Sequence, residues 1–404
     1  MCLLHRIAGA FIHRPEELKN IGSKAGDLIK RAFDCFDAAR LVDYHTHVAG
    51  IGTGGSGAFV NPKMLTWGHP FHRLKFKVYL SASAVNDVEN ADRQLADRLA
   101  RLIRNIEGHG KHRLLAIDKN YNRDGTPNLA KTEFYVPNDY VFRLATEHPD
   151  CFEPVISVNP YRPDALTELE RGAKHGARIV KWLPNAMGMD PSDELCDPFY
   201  RKMKDLGLVL LSHGGEEKAV EAVEDQKLGN PLLLRRPLDH GVKVIIAHCA
   251  GLGDNDDLDD PQQGRLPNFD LFLRLMDEKR YEGLLFSDIS AMTQYNRCGR
   301  PLRTILQRED LHERLVNGSD YPLPAVNILI RTSALRKHGY ITADERVLLN
   351  EIYDYNPLLF DFALKRTIKF PGTRKRLPAS IFMTNPELEA GSADVSSALS
   401  AKRE

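Results

Sequence analysis

The 404-residue sequence balances 55 Lys+Arg against 55 Asp+Glu, which excludes a basic field for nucleic acid and a polybasic patch for membranes. Its length accommodates two average domains or one (β/α)8 barrel with insertions. Six scattered cysteines (Cys2, Cys35, Cys151, Cys196, Cys249 and Cys298) fit reduced thiols in a cytoplasmic protein rather than a disulfide framework, and no long apolar run at Cys2-Leu3-Leu4 suggests export or membrane insertion.

In chain order, residues 1–39 read as an N-terminal helical segment, with Leu28, Ile29, Ala32, Phe33 and Phe36 at helical spacing. Leu41-Val42-Asp43-Tyr44-His45-Thr46-His47 then reads as a short strand whose two histidines share a side, because strand side chains alternate faces. Gly50 to Gly57 follows. It lacks the closing Lys-Ser/Thr and the GxGxxG spacing of a phosphate cradle, so it reads as a flexible substrate-facing loop or a plain connector. Residues 71–107 are largely helical, with Val88, Leu95, Leu99, Leu102, Ile103 and Ile106 at three- and four-residue intervals. The insertion 48–112 is thus expected to form a lid or an oligomer contact, and a homodimer through it is compatible with the sequence.

Further strands are expected at Arg113–Lys119, Glu153–Asn159, Ala177–Lys181, Leu208–His213, Val242–His248, Leu284–Ile289 and Leu315–Asp320, alternating with helices such as Pro163–His175 and Asp197–Leu206. Eight strands at such intervals indicate a parallel (β/α)8 barrel over residues 40–368. Residues 369–404 turn to Pro, basic residues and then Ser/Ala/Glu, and are expected to form a loosely ordered C-terminal tail.

Several of these strands end in metal-competent side chains: His45 and His47, Lys181, His213, His248 and Asp320. In a parallel barrel all such ends meet at one face, where residues distant in sequence can share an ion. Singly, His213 or His248 reads as a hydrogen-bonded structural histidine and Asp320 as a helix N-cap ahead of Pro322, but the agreement of the set favours a metal site. His69, His72, His109 and His112 read as surface or loop residues. Lys119, Trp182 and Glu216, with Asn159, Asp288 and Tyr321, lie at or just past strand ends and are candidates for the pocket wall, packing being the competing explanation.

Asp43-Tyr44-His45-Thr46-His47, Lys181, Ser212-His213-Gly214-Gly215-Glu216, Ala247-His248-Cys249-Ala250-Gly251 and Asn317-Gly318-Ser319-Asp320-Tyr321-Pro322, in that order, resemble the amidohydrolase superfamily of metal-dependent TIM-barrel hydrolases over roughly residues 40–365. The Gly-Ser-Asp-Tyr-Pro ending is most similar to the branch containing aminocarboxymuconate-semialdehyde decarboxylase, while Ile179–Pro184 and His213–Glu216 also resemble dihydroorotase. The resemblance implies that His45, His47 and Asp320 hold one metal, that His213 completes it or holds a second, and that His248 either lies beside the metal's water or binds the second ion. Lys181 would be a carboxylated bridge between two ions, or an ordinary lysine binding a substrate carboxylate or pairing with an acid. Zn2+ suits imidazole and carboxylate, as one or two ions, with another divalent metal as the alternative. The implied reaction is attack by metal-activated water on a small-molecule amide, ester or lactone. Asp320 would act as base and acid, His248 would polarise the carbonyl, and Lys119, Trp182 and Glu216 would contact substrate. The alternatives are nonoxidative decarboxylation of an unsaturated or aromatic acid, and a barrel retained only for binding.

Overall fold

The computed structural model describes residues 13–66, 68–218 and 223–389; the apolar start at Cys2–Leu4 and the last residues of the expected tail, 390–404, lie outside them. Eight strands carry the fold: β1 (Val42–His47), β2 (Lys111–Leu115), β3 (Phe152–Val155), β4 (Ile179–Trp182), β5 (Val209–His213), β6 (Val244–Ala247), β7 (Leu285–Asp288) and β8 (Leu315–Val316). β1 to β3 form one parallel sheet and β4 to β8 another. Both seams are bonded. Ile156 bridges Val180, with Lys181 N–H donating to Ile156 O at 2.7 Å. At the other seam Tyr44 N–H donates to Asn317 O at 2.9 Å and Asp320 N–H to His45 O at 2.7 Å. The two sheets therefore close into a (β/α)8 barrel with a helical insertion after its first strand.

Strands covered on both faces must be apolar on both, which explains the unbroken Val/Ile/Leu runs. One buried cluster, including Val42, Tyr44, Leu115, Ile179, Leu211, Ile245 and Phe286, fills the barrel. A larger one packs between barrel and helices, and includes Val180, Trp182, Leu210 and Ile246.

β1 departs from plain alternation. Asp43 pairs with His112 and Thr46 with Leu114, so Tyr44 and His45 together oppose the single Arg113: a β-bulge. Val42 and Tyr44 point into the barrel floor, and the extra residue resets the alternation so that His45 and His47 face the mouth. The histidines share a side as expected, but they reach the site through the bulge.

The first connection, residues 48–110, contains α2 (Pro70–Ala82) and α3 (Ala91–Arg104), numbered after the N-terminal helix α1 (Ser23–Phe33). α3 buries Leu95, Leu99, Leu102 and Ile103 on one stripe, and α2 roofs the barrel mouth with Phe76, Tyr79 and Leu80. The glycine-rich loop is fastened. Asp92 accepts from Ile51 N–H at 2.7 Å, Gly52 N–H at 3.1 Å, Thr53 Oγ1 at 3.0 Å and Ser56 Oγ. Its amides thus hold a carboxylate of the same chain, and a Cβ on Gly50 would lie 2.4 Å from Asp92 Oδ2. No helix among the described residues is long and apolar enough to cross a membrane.

The expected loose tail is corrected for residues 369–389. Leu377, Ile381, Phe382 and Leu388 are buried, Asn317 N–H donates to Ile381 O at 2.7 Å, and Leu388 closes the barrel floor. These apolar residues show no sustained periodicity because the segment docks as two four-residue helical turns, Ala379–Phe382 and Pro386–Glu389, and single bridges such as Leu41 with Met383. Helix Pro357–Thr367, also unforeseen, packs Phe362 against Phe382 at a 5.4 Å ring separation. Phe382→Ala is expected to cost about 3 kcal/mol or more, read as a lower urea midpoint at unchanged slope; a loosely held tail would leave the midpoint where it was.

Candidate active site

At the C-terminal ends of the strands lies a cavity of about 320 Å3. His45, His47, Lys181, His213, His248 and Asp320 form its polar floor, so all six strand-end residues of the expected metal set converge. His45 and His47 come from β1, Lys181 from β4 and His213 from β5. His248 follows β6. Ile245 and Ala247 face inward, so regular alternation would send His248 outward; a φ of 57° turns it to the cavity instead and leaves Cys249 facing the outer core. Asp320, beyond β8, also has a φ of 57°. Such conformations are costly for residues with a Cβ and persist where surrounding contacts impose them.

Asp288, at the end of β7 and fully buried, supplies those contacts. Its Oδ2 lies 2.8 Å from His45 Nδ1. Its Oδ1 accepts from His248 N–H at 2.9 Å, Ser290 N–H at 3.0 Å and the Ser290 hydroxyl. Since Ser290 gives its only proton to Asp288, its oxygen is left to accept from His248 Nδ1, 2.7 Å away. Both imidazoles therefore carry their proton on Nδ1 and present a bare Nε2 lone pair to the cavity. Burial holds the pKa of His45 and of His248 well below the ordinary value and also lowers that of His213, so all three are neutral at pH 7.

The donor set fits a divalent cation. Nε2 of His45 and Nε2 of His47 are 3.1 Å apart, and Asp320 Oδ1 lies 3.6 Å from the first and 3.3 Å from the second. Two imidazole nitrogens and a carboxylate oxygen gathered so closely make a donor set that suits a divalent cation. His213 lies beside them with Nδ1 3.4 Å from Glu217 Oε2 and a buried Nε2 that has no partner. The grouping of His45, His248 and Asp288 is also compact. There, however, both Asp288 oxygens are already occupied by N–H and O–H donors, which makes Asp288 a support rather than a ligand. Lys181 Nζ is buried 3.2 Å from His45 Nε2, and burial pushes its pKa down to about 8.

The expected substrate contacts divide. Glu216 lines the cavity, paired with Lys218 at 3.2 Å. Trp182 does not: it follows inward-facing Lys181 and so points outward, fully buried, with Nε1 donating to Val158 O at 2.8 Å. Lys119 also lies off the cavity wall, its Nζ 4.4 Å over the Tyr135 ring. His112, read as a loop residue, is on β2 and nearly buried, within 3.2 Å of Thr46 Oγ1 and 3.4 Å of Asp43 Oδ2. Glu217, Tyr79 and Arg297 were not singled out from the sequence. Glu217 adjoins a flagged residue, but nothing local marks Tyr79 or Arg297.

The chain belongs to the amidohydrolase family, whose model matches residues 115–357. It is a family of metal-dependent enzymes that act on small molecules. Similar solved structures include an uncharacterised TIM-barrel protein from Bordetella bronchiseptica (16% identity, 80% of this chain and 99% of that one, TM-score 0.45). Others are 5-carboxyvanillate decarboxylase from Sphingomonas paucimobilis (13%, 81% and 96%, TM-score 0.43) and 4-oxalomesaconate hydratase from Rhodopseudomonas palustris (13%, 89% and 99%, TM-score 0.40). No curated protein matches the chain.

Asp288→Asn would place an amide where carboxylate oxygens accept four donors. Its metal affinity is expected to fall about 10- to 100-fold, measured by competition with a chromogenic chelator; unchanged affinity would remove Asp288 from the support of the site.

Proposed function

We propose that this chain is a metal-dependent hydrolase that cleaves an amide, ester or lactone of a small molecule, with His45, His47 and Asp320 holding the ion and His213 completing the set. The observation that carries the reading is the position of Asp320: Oδ1 faces the His45/His47 pair, while Oδ2 lies 3.8 Å from His248 Nε2. A bound divalent cation, zinc by its preference for imidazole and carboxylate, supplies Lewis acidity and a water of lowered pKa.

The chain's own groups do the rest. Asp320 accepts the proton of the attacking water and returns it to the leaving nitrogen or oxygen as the bond from the carbonyl carbon breaks. His248, neutral and with Nε2 unprotonated, takes up a proton or binds a cation there; polarising a carbonyl would require a proton that the Asp288–Ser290 chain holds on Nδ1. α2 covers the mouth and limits bulk water around the reacting groups.

A second reading, nonoxidative decarboxylation of an unsaturated or aromatic acid, draws on Lys181. Among the described residues no carboxylate lies within ion-pair distance of this buried amine, which leaves it available to hold a substrate carboxylate.

Metal content by elemental analysis, on protein purified with bicarbonate and without chelator, tests the proposal for wild type and Lys181→Ala together. The geometry favours about one ion per chain in both, because the compact donor set is the His45, His47 and Asp320 group. About two ions, falling in the variant, would instead make Lys181 a carboxylated bridge, and a content near zero would leave only a binding barrel. Release of CO2 during turnover would replace hydrolysis by decarboxylation.

A further inference from the structure

Arg297, on the connection after β7, is only 6% exposed and lines the cavity. Its Nη1 donates to Gln294 Oε1 at 2.8 Å, its Nε has no partner, and among the described residues no carboxylate lies within ion-pair distance of it. The other buried arginine among the described residues, Arg113, is neutralised: it lies 3.3 Å from Glu153. Gln294, 3% exposed and also on the cavity wall, leaves its Nε2 without a partner. The bond between the two residues ties these donors into one unit.

A guanidinium stays charged when buried, so one that no described carboxylate contacts suits an anion that arrives from outside. Asp320, Glu217 and Asp288 act on the guanidinium only through space; their short contacts are made elsewhere, Asp288 with His45, His248 and Ser290, Glu217 beside His213, and Asp320 beside the His45/His47 pair. The arginine stem is fixed relative to the catalytic floor. It lies against Gly251, where a Cβ would sit 3.4 Å from Arg297 Cδ, and Gly251 N–H donates to His248 O at 2.9 Å. The cavity wall also carries Phe76 and Tyr79 of α2 and Leu95 of α3. A volume of about 320 Å3 lies at the small end of the range for ligand sites.

We propose that Arg297 and Gln294 form a carboxylate-binding subsite, and that the substrate is a small acid with an apolar, ring-sized body seated under α2. This rests on the reading of the cavity as the active site and adds the class of molecule that enters it. Arg297 positions the substrate by its charge, away from the bond that reacts.

The test uses chelator-treated protein, so that a carboxylate has no metal to bind, and titrates benzoate against its neutral isostere benzamide by calorimetry. Benzoate is expected to bind at least about tenfold more tightly. Arg297→Gln should abolish most of that preference while Lys181→Ala leaves most of it in place, Arg297→Lys should restore part of it, and Gln294→Leu should weaken benzoate while leaving benzamide unchanged. If Arg297→Gln fails to fold, the wild-type benzoate-to-benzamide ratio together with Gln294→Leu decides. Equal binding of the two probes, or a preference that survives Arg297→Gln, overturns the subsite. Inorganic phosphate binding as tightly as benzoate would make it a site for a free anion and overturn the substrate class. Because metal is absent throughout, these outcomes are independent of the metal content and products that test the reaction itself.

Discussion

The site depends on one buried carboxylate. Asp288 reaches β1 through His45 and the turn after β6 through the His248 amide, and it controls the second imidazole through Ser290. Without it neither ring would have a fixed proton, and the left-handed backbone at His248 would lose the bond that helps hold it. Burying a carboxylate is costly, and four donors of good geometry offset that cost. The same interaction that orders the rings leaves both Nε2 lone pairs directed at the cavity, so the folding of the turn and the chemistry of the floor share one cause.

A second carboxylate does the corresponding work at the seam between β1 and β8. Asp43 accepts from His45 N–H at 2.9 Å and from Ser319 N–H at 3.0 Å, which pins the bulge of β1 to the end of β8. Burial pushes its pKa up, but His112, Ser319 and the His45 amide outweigh this and hold it below the usual value. Gly318 is required there because a Cβ would lie 2.6 Å from that of His45. From the outer side Lys365 donates to Gly318 O at 2.6 Å, so helix Pro357–Thr367 also fixes the approach to Asp320. The two halves of the donor set, the β1 histidines and Asp320, are thereby held as one body.

What could be read from the sequence follows from where its signals are local. Apolar runs ending in His, Lys or Asp marked the strands and their convergence, because parallel-barrel topology brings every such end to one face. The bulge was not legible, since it depends on pairing with Arg113 and leaves β1 looking regular. Trp182 is misplaced by the sequence reading although alternation beside an inward Lys181 already sends it outward. Lys119 was misplaced because the course of the chain past β2 has no periodicity. The docking of residues 369–389 was hidden likewise, their apolar side chains meeting the barrel floor one at a time. Arg297 shows the limit most plainly: no carboxylate among the described residues lies within ion-pair distance of it, and an unmade ion pair leaves no mark on a sequence.

The most direct test of the account is anomalous diffraction at the zinc edge from crystals of the zinc-loaded protein. A peak is expected within about 2.0 to 2.2 Å of His45 Nε2, His47 Nε2 and an Asp320 oxygen, with His45 Nδ1 still bonded to Asp288. A peak on Asp288 itself, or at some other cluster while this floor stays empty at full loading, would contradict it.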